Sequence, residues 1–340
     1  MQNKINKIIW IIAFILFILM IITITYQEIE SKKRIKAYDE RIYYMDTYIY
    51  IKVYEHDSKK ASKALEGATS IYKKYHELTD RYNGYPGLKN IYYIHHNEEE
   101  EEYIELDSRL YNILETALVW KEKSNGLFDI GQGDLIDVWR KYKEGNNGLP
   151  TDEELNVTTS SEIILKDGKI LNNHANIDLG GIAKGYATEE VGKYLESIGI
   201  DKYIINAGGN VLVGKHYDND AYKVGIEDPT KSDSSIFMKV KAEDKAIVTS
   251  GGYQRFFEVD GKRYNHIINP NTKYPADNFL SVTVITDSSA LADILSTMLF
   301  MMDLDSALEF VNKTDDLEAV FYLSNEEQIM SNGFNRYLYE

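Results

Sequence analysis

The chain has 340 residues and no cysteine. That absence excludes disulfides, thiol nucleophiles, Cys-ligated zinc, iron–sulfur clusters and lipid attachment through an N-terminal Cys. A basic footprint is missing too: 38 Lys and Arg stand against 54 Asp and Glu, a formal net charge of −16. Such a balance repels phosphate backbones and argues against nucleic acid as a main partner. After residue 41 there is no long Pro- or Ser-rich linker and no internal repeat, so one domain over 42–335 is the simplest division. What is there, 44% hydrophobic and 27% charged residues, is a globular composition with material for a core.

Ile8 to Ile24 is a run of 17 residues in which only Thr23 is polar. As a helix it reaches roughly 25 Å, near the ~30 Å of a bilayer's hydrocarbon core. No small-x-small cleavage site follows, where Thr25-Tyr26-Gln27-Glu28 stands instead. Residues 1–30 are therefore expected to be an uncleaved transmembrane anchor rather than a removed signal peptide. Lys4 and Lys7 are matched by Lys32, Lys33, Arg34 and Lys36 beyond the run, so charge bias does not fix orientation. Removing residues 1–30 subtracts two Lys and two Glu, which leaves the acidity with the folded part. Residues 31–41, polar and charged, read as a linker.

Met45 to Tyr54 is rich in β-branched and aromatic residues and reads as a strand. Ala61, Ala64, Leu65, Ala68, Ile71, Tyr72, Tyr75 and Leu78 recur at helical spacing after a possible N-cap at Ser58. Asp107 precedes a second such pattern through Leu110, Ile113, Leu114 and Ala117. Beyond about 160, short strands with Gly-rich turns are expected at 162–165, 203–206, 211–213, 222–226, 237–240, 246–250, 256–259 and 281–286. Helices over 181–198 and 288–302 interrupt them. Strands and helices that do not alternate regularly indicate an α+β fold with mixed, largely antiparallel sheet. His95 and His96 before Glu98–Glu102 read as a solvated turn, not a metal tract.

Four segments carry unusual combinations. Gly126-Leu127-Phe128-Asp129-Ile130-Gly131-Gln132-Gly133 lets backbone approach a ligand, but Ile136 stands where a dinucleotide fingerprint needs its third glycine. Asp178-Leu179-Gly180-Gly181-Ile182-Ala183-Lys184-Gly185 opens a helix. It suits either an anion at the helix N-terminus or a helix capped by Asp178 and packed through its glycines. Asn206-Ala207-Gly208-Gly209-Asn210 is satisfied as a β-hairpin. Last come Tyr264-Asn265-His266-Ile267-Ile268-Asn269-Pro270 and, further on, Asp293 with Thr297. Four apart on one helix face, Asp293 and Thr297 can converge on a hard cation such as Mg²⁺, or Asp293 can be satisfied by a basic residue or a cap.

In this order, together with Met45-Asp46-Thr47 and Thr249-Ser250-Gly251, these pieces resemble the FAD:protein FMN transferase (ApbE) family over about residues 42–305. The resemblance implies an ApbE-type fold that binds FAD and Mg²⁺. It also implies transfer of the FMN half to a Thr or Ser hydroxyl of a target flavoprotein, with release of AMP. It implies Mg²⁺ ligands at the Gly181 carbonyl, Asp293 and Thr297. Flavin-binding positions would be Met45, Tyr82, Leu127, Phe128, Asp129, Asp178, Lys184, His266 and Ile267. The chain departs from the family pattern at Asp46, where glycine is usual, at Asp134, where proline is common, and at Asn269 and Lys273, where Asp and Gly are usual.

A Thr hydroxyl is a poor nucleophile, and His266, neutral near pH 7, is the candidate base. Asp167-Gly168 is followed by Lys169-Ile170, not by an Asp-Gly-x-Thr acceptor motif, so a donor enzyme is expected rather than a self-flavinylated carrier. The alternatives are a membrane-tethered FAD-binding carrier and an FAD pyrophosphatase. The resemblance suggests an acceptor among membrane redox-complex subunits or extracytoplasmic flavoproteins. An N-terminal membrane anchor, with the catalytic domain extracytoplasmic, would sit beside such partners.

Overall fold

The computed structural model describes residues 10, 14–23, 35–97, 102–145, 148–157, 162–171, 173, 175–218, 220–233 and 235–339. Trp10 and residues 14–23 are helical, and the rest of the apolar run expected to span a membrane lies outside the described residues. Among the described residues, no helix is long and apolar enough to cross a membrane.

Eight strands form the main sheet: β1 (Lys36–Tyr44), β2 (Thr47–Glu55), β6 (Tyr203–Ala207), β7 (Asn210–Val213), β10 (Lys245–Gly251), β13 (Ser281–Thr286), β14 (Glu318–Tyr322) and β15 (Gln328–Met330). They lie side by side in that order, every neighbouring pair antiparallel. Three small antiparallel sheets are attached. One holds β3 (Tyr103–Glu105), β5 (Lys169–Leu171) and β4 (Leu165–Lys166); the others pair β8 (Tyr222–Glu227) with β9 (Ile236–Ala242) and β11 (Phe256–Val259) with β12 (Lys262–Asn265).

The helices are α1 (Ser58–Thr79), α2 (Ile91–His96), α3 (Ser108–Lys123), α4 (Gly133–Gly145), α5 (Asp152–Leu155), α6 (Ala183–Ser197), α7 (Ser289–Phe300) and α8 (Leu304–Lys313). Alternate residues of β2, Ile49, Ile51 and Val53, are buried in one core with the apolar stripe of α1 and the buried faces of α6 and α7. A second core holds Val213, Ile247 and Ile285 against Tyr222, Val240 and Phe334. With cover on both faces, β13 and β14 are buried at every position, including the polar Ser281, Thr283, Thr286 and Glu318.

The α+β expectation holds, with three local corrections. Residues 36–41, expected in a linker, form most of the edge strand β1, exposed along most of its length. Helix α1 is capped by Asp57, whose carboxylate accepts from Lys59 N, not by Ser58. The strand expected at 162–165 is only the two-residue β4.

Candidate active site

The tip of the β1–β2 hairpin is a two-residue turn in which Met45 and Asp46 have φ of 53° and 62°. Two successive left-handed residues are the requirement of a type I′ turn, where Asp is tolerated better than most side chains. This accounts for Asp46 in place of glycine, and its side chain points to solvent. The β6–β7 hairpin solves the same problem with Gly208 and Gly209, φ 60° and 89°. There a Cβ on Gly208 would stand 2.2 Å from Thr47 Oγ1. Both tips, the C-terminal end of α1, the loop before α4, the segment 178–184 and α7 enclose one cavity of about 450 Å³, within the ~300–1,000 Å³ usual for small-molecule sites.

Every implied flavin or Mg²⁺ position lines this cavity except Leu127, which packs at the edge of the main core. Met45, Tyr82, Phe128, Asp129, Asp178, Gly181, Lys184, His266, Ile267, Asp293 and Thr297 are thereby brought together from six separated stretches of chain.

Asp293 sits where α6 and α7 cross. Its Oδ2 accepts from Gly185 N at 2.8 Å, and Oδ1 faces Lys184 Nζ at 4.0 Å. A Cβ on Gly185 would lie 2.4 Å from the Ser289 carbonyl and 2.6 Å from Asp293 Cβ, so glycine is required for the helices to approach. One turn on, Thr297 Oγ1 donates to the Asp293 carbonyl at 3.0 Å and lies 3.4 Å from Ser250 Oγ. Gly181 abuts the same hydroxyl, since a Cβ there would be 3.3 Å from Thr297 Oγ1. A carboxylate, a hydroxyl and a glycine backbone form an all-oxygen donor set, the chemistry that suits a hard divalent cation. Among the described residues no group of three or more His, Cys, Asp or Glu could hold a metal, so softer multi-histidine chemistry has no counterpart there.

Asp178 does not cap α6. The N-cap is Ile182, without a side-chain hydrogen bond, and Lys184 Nζ folds back onto the Gly180 carbonyl at 3.1 Å. Asp178 instead accepts from Gly180 N at 2.8 Å and from Arg81 Nη1 at 3.2 Å. Arg81, not singled out from the sequence, has a side chain only 7% exposed. Its Nη2 donates to Asn176 Oδ1 at 2.6 Å, Asp137 Oδ2 at 2.8 Å and the Gly133 carbonyl at 3.1 Å. It therefore ties the Asp178 segment and α4 to the end of α1. Asp134, in the first turn of α4, accepts from Asn176 Nδ2 at 2.8 Å. An acidic residue at a helix start is as suitable as proline, through the dipole rather than the fixed φ.

Asp129 accepts from Gly131 N and pairs with Lys121 at 2.9 Å. Asp80, at the end of α1, is buried, which raises its carboxyl; bonds from Asn83 Nδ2, the backbone N of Tyr82, Tyr85 OH and Asn83 N outweigh this and hold it below the usual range. The exposed ring of Tyr82 has the Arg140 and Arg81 guanidinium carbons at 4.4 and 5.2 Å from its centroid.

His266 lines the cavity and is exposed to solvent there. Loss of bulk water, then the positive charges of Arg255 and Lys184, push its pKa down to about 4 against a bond to the Arg255 backbone that works the other way. The imidazole is neutral at pH 7. Asn269 holds the following turn, accepting from Asn271 N at 2.9 Å. Lys273 takes the left-handed conformation there, φ 64°, where the family pattern has glycine.

A model of the ApbE family matches residues 45–321. A Klebsiella pneumoniae (strain 342) protein named FAD:protein FMN transferase is 27% identical over 309 residues, 88% of this chain and 93% of that protein. A Vibrio cholerae protein of the same name is 32% identical over 267 residues, 76% of this chain and 79% of its own. Among solved structures, the ApbE protein of Thermotoga maritima matches with a TM-score of 0.78 at 26% identity, covering 90% of this chain and 100% of that one. The flavin transferase ApbE of Vibrio cholerae shares the fold at a TM-score of 0.75 and 23% identity, over 90% and 100% of the two chains. The family match runs from the tip of the first hairpin into β14 and so takes in the whole cavity; the chain belongs to the ApbE family.

Proposed function

We propose that this protein is an FAD:protein FMN transferase that moves FMN from FAD to a Thr or Ser hydroxyl of an acceptor flavoprotein and releases AMP. One observation carries the reading. Asp178, Lys184, His266, Asp293 and Thr297, far apart in sequence, line a single cavity in a chain of this family. The Asp293 carboxylate, the Thr297 hydroxyl and the Gly181 carbonyl would hold Mg²⁺, which when bound supplies positive charge to the diphosphate oxygens. Lys184 adds a cation on the same side. The acceptor oxygen attacks the FMN-side phosphorus in line; a new P–O bond forms, the bond to the bridging oxygen breaks, and AMP leaves with that oxygen. His266 takes the hydroxyl proton. Its neutrality at pH 7 supports that role, and the negative charge of a bound diphosphate raises its basicity.

The test is incubation of the full chain with FAD, Mg²⁺ and an acceptor carrying a Thr/Ser flavinylation motif. The expected products are an acceptor heavier by FMN and an equal amount of AMP. AMP and free FMN without acceptor would overturn the reading in favour of a pyrophosphatase; FAD uptake without AMP would leave a carrier.

The apolar run at 8–24 supports a further part of the proposal, attachment to a membrane with the catalytic domain extracytoplasmic, beside redox-complex subunits as acceptors. Fractionation and protease protection of the full chain test it: recovery of the protein in the soluble fraction, or protection of the domain on the cytoplasmic side, rejects it.

A further inference from the structure

Besides Asp46, whose side chain points to solvent, the cavity is lined by four carboxylates against three cations, Arg81, Lys184 and Arg255. A ligand with two phosphate charges meets an unfavourable field there, and the cations' commitments decide which can offset it. Arg81 is committed to Asp178, Asp137, Asn176 and the Gly133 carbonyl. Lys184 is held by the Gly180 carbonyl and faces Asp293.

Arg255 differs. One Nη2–H reaches the Asp46 carbonyl at 2.7 Å, with the Asp46 carboxylate 4.0 Å from the same nitrogen. Among the described residues no other partner engages its guanidinium, so about four of its five N–H donors are unclaimed. The side chain is 46% exposed and lines the cavity, as His266 does. Its tether is the carbonyl of a left-handed hairpin residue, Asp46, which holds the long side chain over the cavity and reduces the entropy lost when it binds.

We propose that Arg255 is a specificity-determining residue for the diphosphate, its planar fork closing on phosphoryl oxygens of the dinucleotide. The inference rests on the reading of the cavity as an FAD site. A guanidinium matches a phosphoryl group bidentately where an ammonium acts only as a point charge. Arg255 therefore separates a flavin dinucleotide from a flavin without phosphate.

The experiment compares wild type, Arg255→Met and Arg255→Lys in Mg²⁺, with quenching of flavin fluorescence as the readout and FAD and riboflavin as probes. Arg255→Met is expected to weaken FAD about 10- to 100-fold, to flatten the salt dependence of FAD affinity, and to leave riboflavin within about twofold. Arg255→Lys recovers part of the loss. Wild-type FAD affinity and salt slope in Arg255→Met would overturn the proposal. An equal loss of FAD and riboflavin would overturn it too, because Arg255 would then only be supporting the hairpin. AMP release by the wild type, followed in a parallel incubation that contains a Thr/Ser acceptor, separates the two readings. FAD uptake without AMP defeats the transferase alone and leaves the comparison of variants valid, whereas no FAD uptake defeats both.

Discussion

Asp293 has a side chain 6% exposed, and a buried carboxylate is costly unless something shares its charge. The Gly185 N–H and, at longer range, Lys184 do so. The substitution Asp293→Asn separates fold from chemistry, because an amide oxygen can still accept from Gly185 N while the charge is gone. It should melt close to wild type and lose at least about 100-fold in Mg²⁺-dependent transfer, since a hydroxyl and a carbonyl hold a hydrated cation poorly. Asp293→Ala should in addition lose about 1–3 kcal/mol of stability for the orphaned N–H, read from denaturant melts. His266 yields a pH prediction. Its pKa is pushed down to about 4 from the ordinary 6.5, so the unfolded state binds the proton first as pH falls, and because the residue is exposed solvent screening keeps the linked loss small. Stability is therefore lost between about pH 6.5 and 4 and levels off below. His266→Gln should flatten the melting temperature over that window; an unchanged slope would assign the loss to other groups. Lys273, at φ 64°, is strained for a side chain with a Cβ, and Lys273→Gly should gain up to about 1 kcal/mol. The types of the cavity residues were legible in the sequence, but Arg81 and Arg255 were not. An arginine carries no local pattern that distinguishes a surface charge from one folded under a loop or across a cavity mouth.

Helices α6 and α7 form the element pair on which the site depends, and their spacing is set by Gly185. Gly185→Ala forces a methyl against the Ser289 carbonyl and Asp293 Cβ, and neither backbone nor Cβ can swing away as a flexible side chain would. We expect about 1–3 kcal/mol of destabilisation and a weaker response to Mg²⁺, because relief of the clash moves Asp293 off its N–H. A titration of Mg²⁺-dependent FAD binding checks this; unchanged affinity with lowered stability would mean that the crossing does not set the site. At this scale the periodicity of α1 and α3 and the β-branched stretches of β7, β10 and β13 were readable, since one buried face or two leave a pattern. Edge strand β1 left none, because most of its residues are exposed and a polar strand looks like a linker. The role of Asp178 was hidden for a different reason: Arg81 lies 97 residues away, and only the folded chain shows which of two local options, cap or bridge, a carboxylate takes.

The net charge of −16 is concentrated again in the cavity, with its excess of carboxylates. A dianionic dinucleotide and this protein repel each other until a cation intervenes, so uptake of FAD and of Mg²⁺ should be linked, each raising the affinity for the other by the same factor. Stabilisation by a ligand follows its saturation, about 2.7 kcal/mol at a hundredfold excess over Kd. For a domain of this size that amounts to a rise of several degrees in melting temperature. FAD alone, or Mg²⁺ alone, should shift the melt little; the two together should give the full rise, and EDTA should abolish it. Raising ionic strength screens the exposed charges and should lessen the requirement for Mg²⁺ in FAD binding, though not in transfer. The measurement is a grid of melts over FAD, Mg²⁺ and salt. A full shift with FAD in EDTA at low salt would mean that the carboxylates lining the cavity are already neutralised by the protein's own cations, and that the Asp293–Thr297 pair serves packing rather than a metal.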